Sequence, residues 1–168
     1  MDATFPLPPA VLKSLSDKSF EKRKAGAMDV EKIMRRLRET ESHDAIKRVL
    51  VLLATDFACN LNSNNRKGGL IALASCAIGL MGGVSTYLDL FVPAVIKNFS
   101  DLEPRVRYYA CESLFNIVKV CRCVECLGSS LAEDKSTCSL PLTPPLVSSR
   151  SRLRASFLTV QRRHLDLF

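Results

Sequence analysis

The sequence predicts an all-α fold built from repeated helix pairs, and three observations carry that prediction. A basic residue, a small or aromatic pair and then an apolar helical run occur three times, at Arg23–Met28, Arg66–Ile71 and Val106–Cys111. Aligned on Lys24, Lys67 and Arg107, the copies stand 43 and 40 residues apart. Glycine is sparse and tryptophan absent, which suits helices better than a turn-rich sheet protein. A period near forty made of helices alone is the signature of HEAT/armadillo-like repeats. The expected architecture is a superhelical stack of about three helix pairs, near residues 8–40, 42–82 and 85–122, each burying its apolar face on its neighbours. A largely disordered tail, 123–168, follows.

Pro8-Pro9 opens the first helix, because proline fits the first helical turn, and Val11, Leu12 and Leu15 form its stripe. Phe20 to Arg38 is the second helix, with Phe20, Ala27, Val30, Ile33, Met34 and Leu37 at helical spacing. Lys22-Arg23-Lys24 and Arg35-Arg36 fall largely off that stripe and read as a solvated face. Ser42 stands as N-cap of the third helix, Asp44 adds charge at its positive end, and Ile46, Val49, Leu50, Leu53 and Phe57 carry the apolar face to about Cys59.

Asn60 to Asn65 reads as a polar turn. Arg66 to about Met81 is apolar nearly all round, so it belongs in the middle of the stack. Gly68-Gly69 inside it costs helix propensity. Close approach of a neighbouring backbone explains the pair better than a phosphate loop, since no strand precedes it. Gly82-Gly83 ends that helix, and Ser85 or Thr86 caps the next, in which Pro93 is expected to bend or break the chain. Asp101 to Pro104 is a turn, and Pro104 opens a last helix to about Arg122. Asp101, Pro104, Arg105-Val106-Arg107, Ala110 and Leu114 form the most HEAT-like stretch. In that order the turn acid and the arginine pair or cap across successive repeats, while Ala110 and Leu114 pack inward.

After Arg122 the periodicity stops. Pro141, Pro144 and Pro145 forbid continuous helix, and Arg150, Arg152 and Arg154 form a basic run with a short helix expected near Phe157 to Leu167. Cys121, Cys123, Cys126 and Cys138 offer four thiolates, yet only Cys123 and Cys126 have the spacing of a zinc-ligand pair, so no metal is expected. With its last face uncapped by a polar terminal repeat, the stack is expected to be sticky at Leu114, Val118 and Val120.

Hydrophobic residues make up 47% of the chain, ample for a core, and the net charge is +7. Met1 to Pro6 lacks the basic and apolar regions of a secretory signal. The apolar stretch Gly68 to Val84 is interrupted by glycines and falls short of a spanning helix. Seven cysteines without a signal read as reduced thiols, which places the chain among soluble intracellular proteins. Only His43 and His164 are available as imidazoles, and neither has a nucleophile or carboxylate motif beside it, so neither catalysis nor a cofactor is expected. The candidate partner surface comprises Lys22, Arg23, Lys24, Arg66, Lys67, Arg105, Arg107 and Tyr108. A second reading is a basic module that binds anionic membrane or nucleic acid through Lys22 to Lys24, Arg66-Lys67 and the tail arginines. Specific nucleic-acid recognition is not expected, because no recognition-helix pattern or aromatic interleaving is present.

Three blocks also carry a family resemblance: Asp17–Ala25, Arg66–Ala74 and Arg105–Val120. In content and order they resemble the amino-terminal repeats of the Vac-fourteen family, the vacuole-morphology HEAT-repeat scaffolds, over roughly residues 5–122. The resemblance implies a non-enzymatic scaffold of the complex that controls phosphatidylinositol 3,5-bisphosphate synthesis and turnover. It further implies two partners, a lipid 5-kinase of the PIKfyve or Fab type and a Sac-domain phosphoinositide phosphatase. The implied location is cytoplasmic, peripheral on endosomal and vacuolar or lysosomal membranes. Family members continue into further repeats, whereas here the likeness stops near Arg122, as in a truncated form with an unrelated tail. Self-association, placed by the resemblance in the carboxy-terminal part, is not expected of this chain.

Overall fold

A computed structural model describes the backbone of residues 6–130 and the side chains of residues 6–121. Six α-helices follow one another there without a strand: α1 (Pro9–Leu15), α2 (Phe20–Glu39), α3 (His43–Leu52), α4 (Ser63–Leu80), α5 (Leu88–Lys97) and α6 (Pro104–Ser130). α1 packs on α2 and α5 on α6, α3 meets α4 through the turn Leu53–Phe57 that continues it, and α4 packs between α2 and α6. One contiguous core runs through all three pairs, from Leu7 and Leu15 through Met34, Leu50 and Leu73 to Leu114 and Ile117.

The reason α4 can occupy the middle lies in its small residues. A Cβ on Gly68 would fall 1.9 Å from the Leu15 carbonyl oxygen, and one on Gly69 would fall 2.7 Å from Ala58 N and Phe57 Cβ. At the other end, a Cβ on Gly79 would meet the Glu31 carbonyl at 2.8 Å. Three glycines therefore let α4 lie against backbone of the first pair and of its own pair. The close-approach reading of Gly68-Gly69 holds.

Two buried polar bonds cross from the second pair to the third. Ser113 Oγ donates to the Leu70 carbonyl at 2.7 Å, and Asn98 Nδ2 donates to the Ala58 carbonyl at 3.0 Å. A third crossing joins His43 Nδ1 and the Tyr87 hydroxyl, 2.6 Å apart. His43 is thus a hydrogen-bonded structural residue at the entrance of α3.

Several sequence expectations need correction. The turn expected over Asn60–Asn65 is shorter, because Asn62 caps α4 by accepting from Asn64 N at 2.9 Å, and the helix begins at Ser63. α3 passes into a single π-helical turn, Leu53–Phe57, before that turn. The glycines after α4 take no positive φ; Met81 does, at φ 45°, and a 3-10 segment, Met81–Tyr87, replaces the expected cap at Ser85 or Thr86. Pro93 does not break α5, which continues through it to Lys97. Pro93 is exposed, so its ring sits on the solvent side of α5.

Leu114 is only 1% exposed, a core residue; among the described residues the exposed large apolar side chains of α6 are Tyr108 at 58% and Phe115 at 55%. Val118 and Val120 are half-buried. The helical run Ser63–Ser100 is long and apolar enough to cross a membrane by composition, yet 67% of its most apolar window is buried, as befits the central helix of a stack. Lastly, α6 runs past Arg122 to Ser130, so the tail boundary lies later than the periodicity implied. The remaining tail features, including Cys138, Arg150–Arg154 and Phe157–Leu167, lie outside the described residues, as do the side chains of Cys123 and Cys126. Among the described residues no cluster of metal-ligating side chains occurs.

Candidate partner surface at the repeat turns

The turns that precede α2, α4 and α6 are three copies of one device. Asp17, Asn60 and Asp101 each accept, through Oδ1, the backbone N–H two residues on: Ser19 at 2.8 Å, Asn62 at 2.9 Å and Glu103 at 2.9 Å. Such Asx turns fix the chain direction into the helix that follows. Six residues after each Asx stands an arginine that reaches back. Arg23 Nη1 donates to the Asp17 and Lys18 carbonyls, both at 2.8 Å. Arg66 Nη1 donates to Asn60 and Leu61 at 2.9 and 2.8 Å, and Arg107 Nη1 to Asp101 and Leu102 at 2.9 and 3.2 Å.

This corrects the repeat register. The equivalent residues are Arg23, Arg66 and Arg107, spaced 43 and 41 apart, so an alignment on Lys24, Lys67 and Arg107 slips by one in the third copy. Tyr108, not Arg107, is the counterpart of Lys24 and Lys67. The signal was present in the sequence as an Asp or Asn followed six residues later by Arg.

At the junction of the second and third pairs the arginine also binds forward. Arg66 Nη2 donates to Asp101 Oδ1 at 3.1 Å, and Arg66 Nε lies 2.7 Å from Asp101 Oδ2, an ion contact off the N–H axis. Beside it Lys67 Nζ pairs with Glu103 Oε1 at 2.9 Å. The Ser63 hydroxyl, and then Lys67, hold the Glu103 carboxyl below the ordinary range. The Ser19 N–H, and then Lys22, do the same for Asp17.

The eight candidate residues therefore separate. Arg23 is 4% exposed and belongs to the interior, contrary to its reading as part of a solvated face. Arg66, Lys67 and Arg107 are occupied within the turns. Lys22 is exposed but pairs with Asp17 at 3.1 Å. Lys24, Arg105 and Tyr108 remain open to solvent.

Reasoning from the sequence missed two features of this edge. Phe20 of the first pair stacks on Tyr109 of the third, ring centroids 6.1 Å apart, and Tyr109 also faces the Arg23 guanidinium at 5.9 Å. Leu61 and Leu102, the second residues of two equivalent turns, are 99% and 96% exposed. The turn motif that aligns Asn60 with Asp101 also aligns Leu61 with Leu102, but residue type alone does not tell an exposed leucine from a buried one.

Comparison with known proteins bears on the same helices. Residues 64–128, which span α4 to most of α6, match the family model described as the Vacuolar 14 Fab1-binding region. A Protein VAC14 homolog of Arabidopsis thaliana is 48% identical over 121 residues, covering 72% of this chain and 16% of that protein. Vacuole morphology and inheritance protein 14 of Saccharomyces cerevisiae is 39% identical over 115 residues, and a Protein VAC14 homolog of Schizosaccharomyces pombe 35% over 114. These cover 67% of this chain and 13% and 14% of the respective relatives. The chain thus spans only a small part of the length of the relatives it matches. No solved structure matches. On these matches and on its stack of helix pairs, the chain belongs to the Vac14 family.

Proposed function

We propose that these helix pairs are a non-enzymatic binding region for a Fab1-type lipid kinase, within the scaffold of the complex that makes and turns over phosphatidylinositol 3,5-bisphosphate. The observation that carries this reading is the match of residues 64–128 to a Fab1-binding region, because those residues form α4 to α6, the centre and one end of the stack. A stack of helix pairs is suited to the role: it holds surface side chains at fixed spacing on a continuous core. The Sac-domain phosphatase as second partner, and peripheral location on endosomal and vacuolar or lysosomal membranes, belong to the same proposal and follow from family membership alone.

The competing reading, a basic module for anionic surfaces, is weakened by the turns. Of the cations it would use, Lys22, Arg23, Arg66 and Lys67 are engaged with carbonyls or carboxylates of the protein itself. The test is capture of the kinase from lysate by the purified chain at two salt concentrations. Capture that survives raised salt supports the scaffold. Capture by neither the whole chain nor residues 1–130, with both helical by circular dichroism, overturns it, and steep loss with salt favours the basic module.

A further inference from the structure

The three turns are copies, so each junction shows what the other lacks. Between the second and third pairs, Arg66 and Lys67 face two carboxylates, Asp101 and Glu103. The equivalent positions between the first and second pairs are Arg23 and Lys24 on one side and Asn60 and Asn62 on the other. By this repeat equivalence two cations correspond there to two neutral amides, and Asn60 and Asn62 bond to the backbone of their own turn.

The consequence is visible in the hydrogen bonding. Neither Arg23 Nε nor Arg66 Nε has a hydrogen-bond partner, but Arg66 Nε lies 2.7 Å from Asp101 Oδ2, whereas Arg23, 4% exposed, has no such ion contact among the described residues. Its charge is met by two carbonyls, by the Tyr109 ring at 5.9 Å and, through space, by the Asp17 carboxylate, but among the described residues it makes no direct ion pair. Lys24 is exposed and forms none of the ion pairs among the described residues. A buried guanidinium nitrogen without a partner is costly, because it has given up water and gained nothing in return. Beside it Phe20 stacks on Tyr109, so aromatic faces border the cation pair.

We infer that the junction of the first and second pairs is an acceptor site for an acidic segment of a partner protein, with two carboxylates spaced i, i+2. The partner would supply to the exposed Lys24 what Glu103 supplies to Lys67, and would bring a second negative charge close to the buried Arg23. The spacing is taken from this chain's own filled junction, which favours a peptide over a lipid headgroup. The inference rests on the reading of the repeats as a binding region, but not on the kinase being the partner.

The test uses the full chain and a synthetic peptide bearing Asp-Leu-Glu, the sequence of Asp101 to Glu103, in an otherwise uncharged context. Three variants are compared with the unaltered chain. Lys24→Ala removes the exposed cation. The double variant Asn60→Asp with Asn62→Asp fills the junction with the protein's own carboxylates. Lys119→Glu makes the same net charge change on an exposed site of α6.

Filling the junction is expected to weaken the peptide at least tenfold and to raise Tm by about 2–4 °C, the shift that one well-placed ion pair gives a chain of this size. Lys24→Ala should weaken the peptide without raising Tm, and Lys119→Glu should do neither. Equal loss in Lys119→Glu would overturn the inference, since the effect would then be one of net charge. No binding to the unaltered chain, or binding only to vesicles containing phosphatidylinositol 3-phosphate, would overturn it too. Because the kinase is absent from this assay, these outcomes are separate from kinase capture.

Discussion

Arg66 and Asp101 stand 35 residues apart in the chain and lock the second helix pair to the third, with Arg66 Nη2 3.1 Å from Asp101 Oδ1 and Nε 2.7 Å from Oδ2. The same guanidinium holds the Asn60 and Leu61 carbonyls. One side chain thus closes its own turn and the interface to the next repeat. Both partners are largely buried, with 18% and 11% side-chain exposure. Arg66→Ala would strand a buried carboxylate and free two carbonyls, and is expected to destabilise by about 3–5 kcal/mol. Arg66→Lys, which keeps the charge but loses the planar fork, should recover only part of that. Urea unfolding of the three proteins measures this; a loss below about 1 kcal/mol for the alanine variant would reduce the pair to a surface contact.

The glycines of the chain should divide by place and not by helix propensity. Gly68→Ala gains about 1 kcal/mol of propensity, yet its Cβ would overlap the Leu15 carbonyl at 1.9 Å, backbone that cannot step aside alone. A net loss of about 3 kcal/mol or more is expected, as for other forced overpacking. Gly82→Ala and Gly83→Ala meet nothing within 4 Å and have ordinary φ, so they should be neutral or stabilising by up to about 1 kcal/mol. Met81→Gly should stabilise slightly, by relieving a residue held at φ 45° and ψ −116°. Thermal melts of the four variants test the order.

Helix-pair architecture was legible because burial imposes a period, and Val30, Met34, Leu50, Leu53, Leu70 and Leu73 keep it. The ends of elements were less so. Asn60 to Asn65 is polar apart from Leu61, so composition alone does not show that Asn62 is the residue that caps α4. Of the bend or break expected at Pro93, no break occurs, and Pro93 lies on the solvent side of a helix that continues through it. Within the candidate site, basic residues were found by type, but type does not reveal occupancy. Arg23 and Lys24 are adjacent in sequence, and one is buried while the other is exposed. That distinction depends on which edge of α2 meets the turn.

Acid should loosen the second junction in a defined direction. Hydrogen bonding from Ser63, and then pairing with Lys67, lowers the Glu103 pKa in the folded protein. A carboxyl depressed on folding contributes stability that is present above its unfolded pKa and is lost as pH falls through the folded one. Lys67 and Glu103 side chains are 13% and 33% exposed, so solvent screens the pair and the contribution should stay below about 1 kcal/mol. Ser63→Ala should move the Glu103 titration upward toward its ordinary value, observed by NMR of the side-chain carboxyl. An unchanged titration would show that Lys67 alone sets it.

Thiol chemistry offers a residue-level probe of the stack. Cys76 lies on α4 with no exposure, and burial pushes its thiol far above the ordinary cysteine range. Cys59, just before the second turn, is exposed, and Cys111 is half-buried with its thiol raised by burial. Since the thiolate is the reactive form, iodoacetamide should label Cys59 first, Cys111 slowly, and Cys76 only through opening of the core. In a domain of ordinary stability that opening leaves Cys76 slower than Cys59 by a factor of roughly 1,000 or more. Digestion and mass spectrometry assign each label to its residue. Because α4 touches both other pairs, Arg66→Ala should accelerate Cys76 in proportion to its loss of stability while leaving Cys59 unchanged. Acceleration of Cys59 alone would mean that the variant loosens only the turn and that the Arg66–Asp101 pair does not hold the stack together.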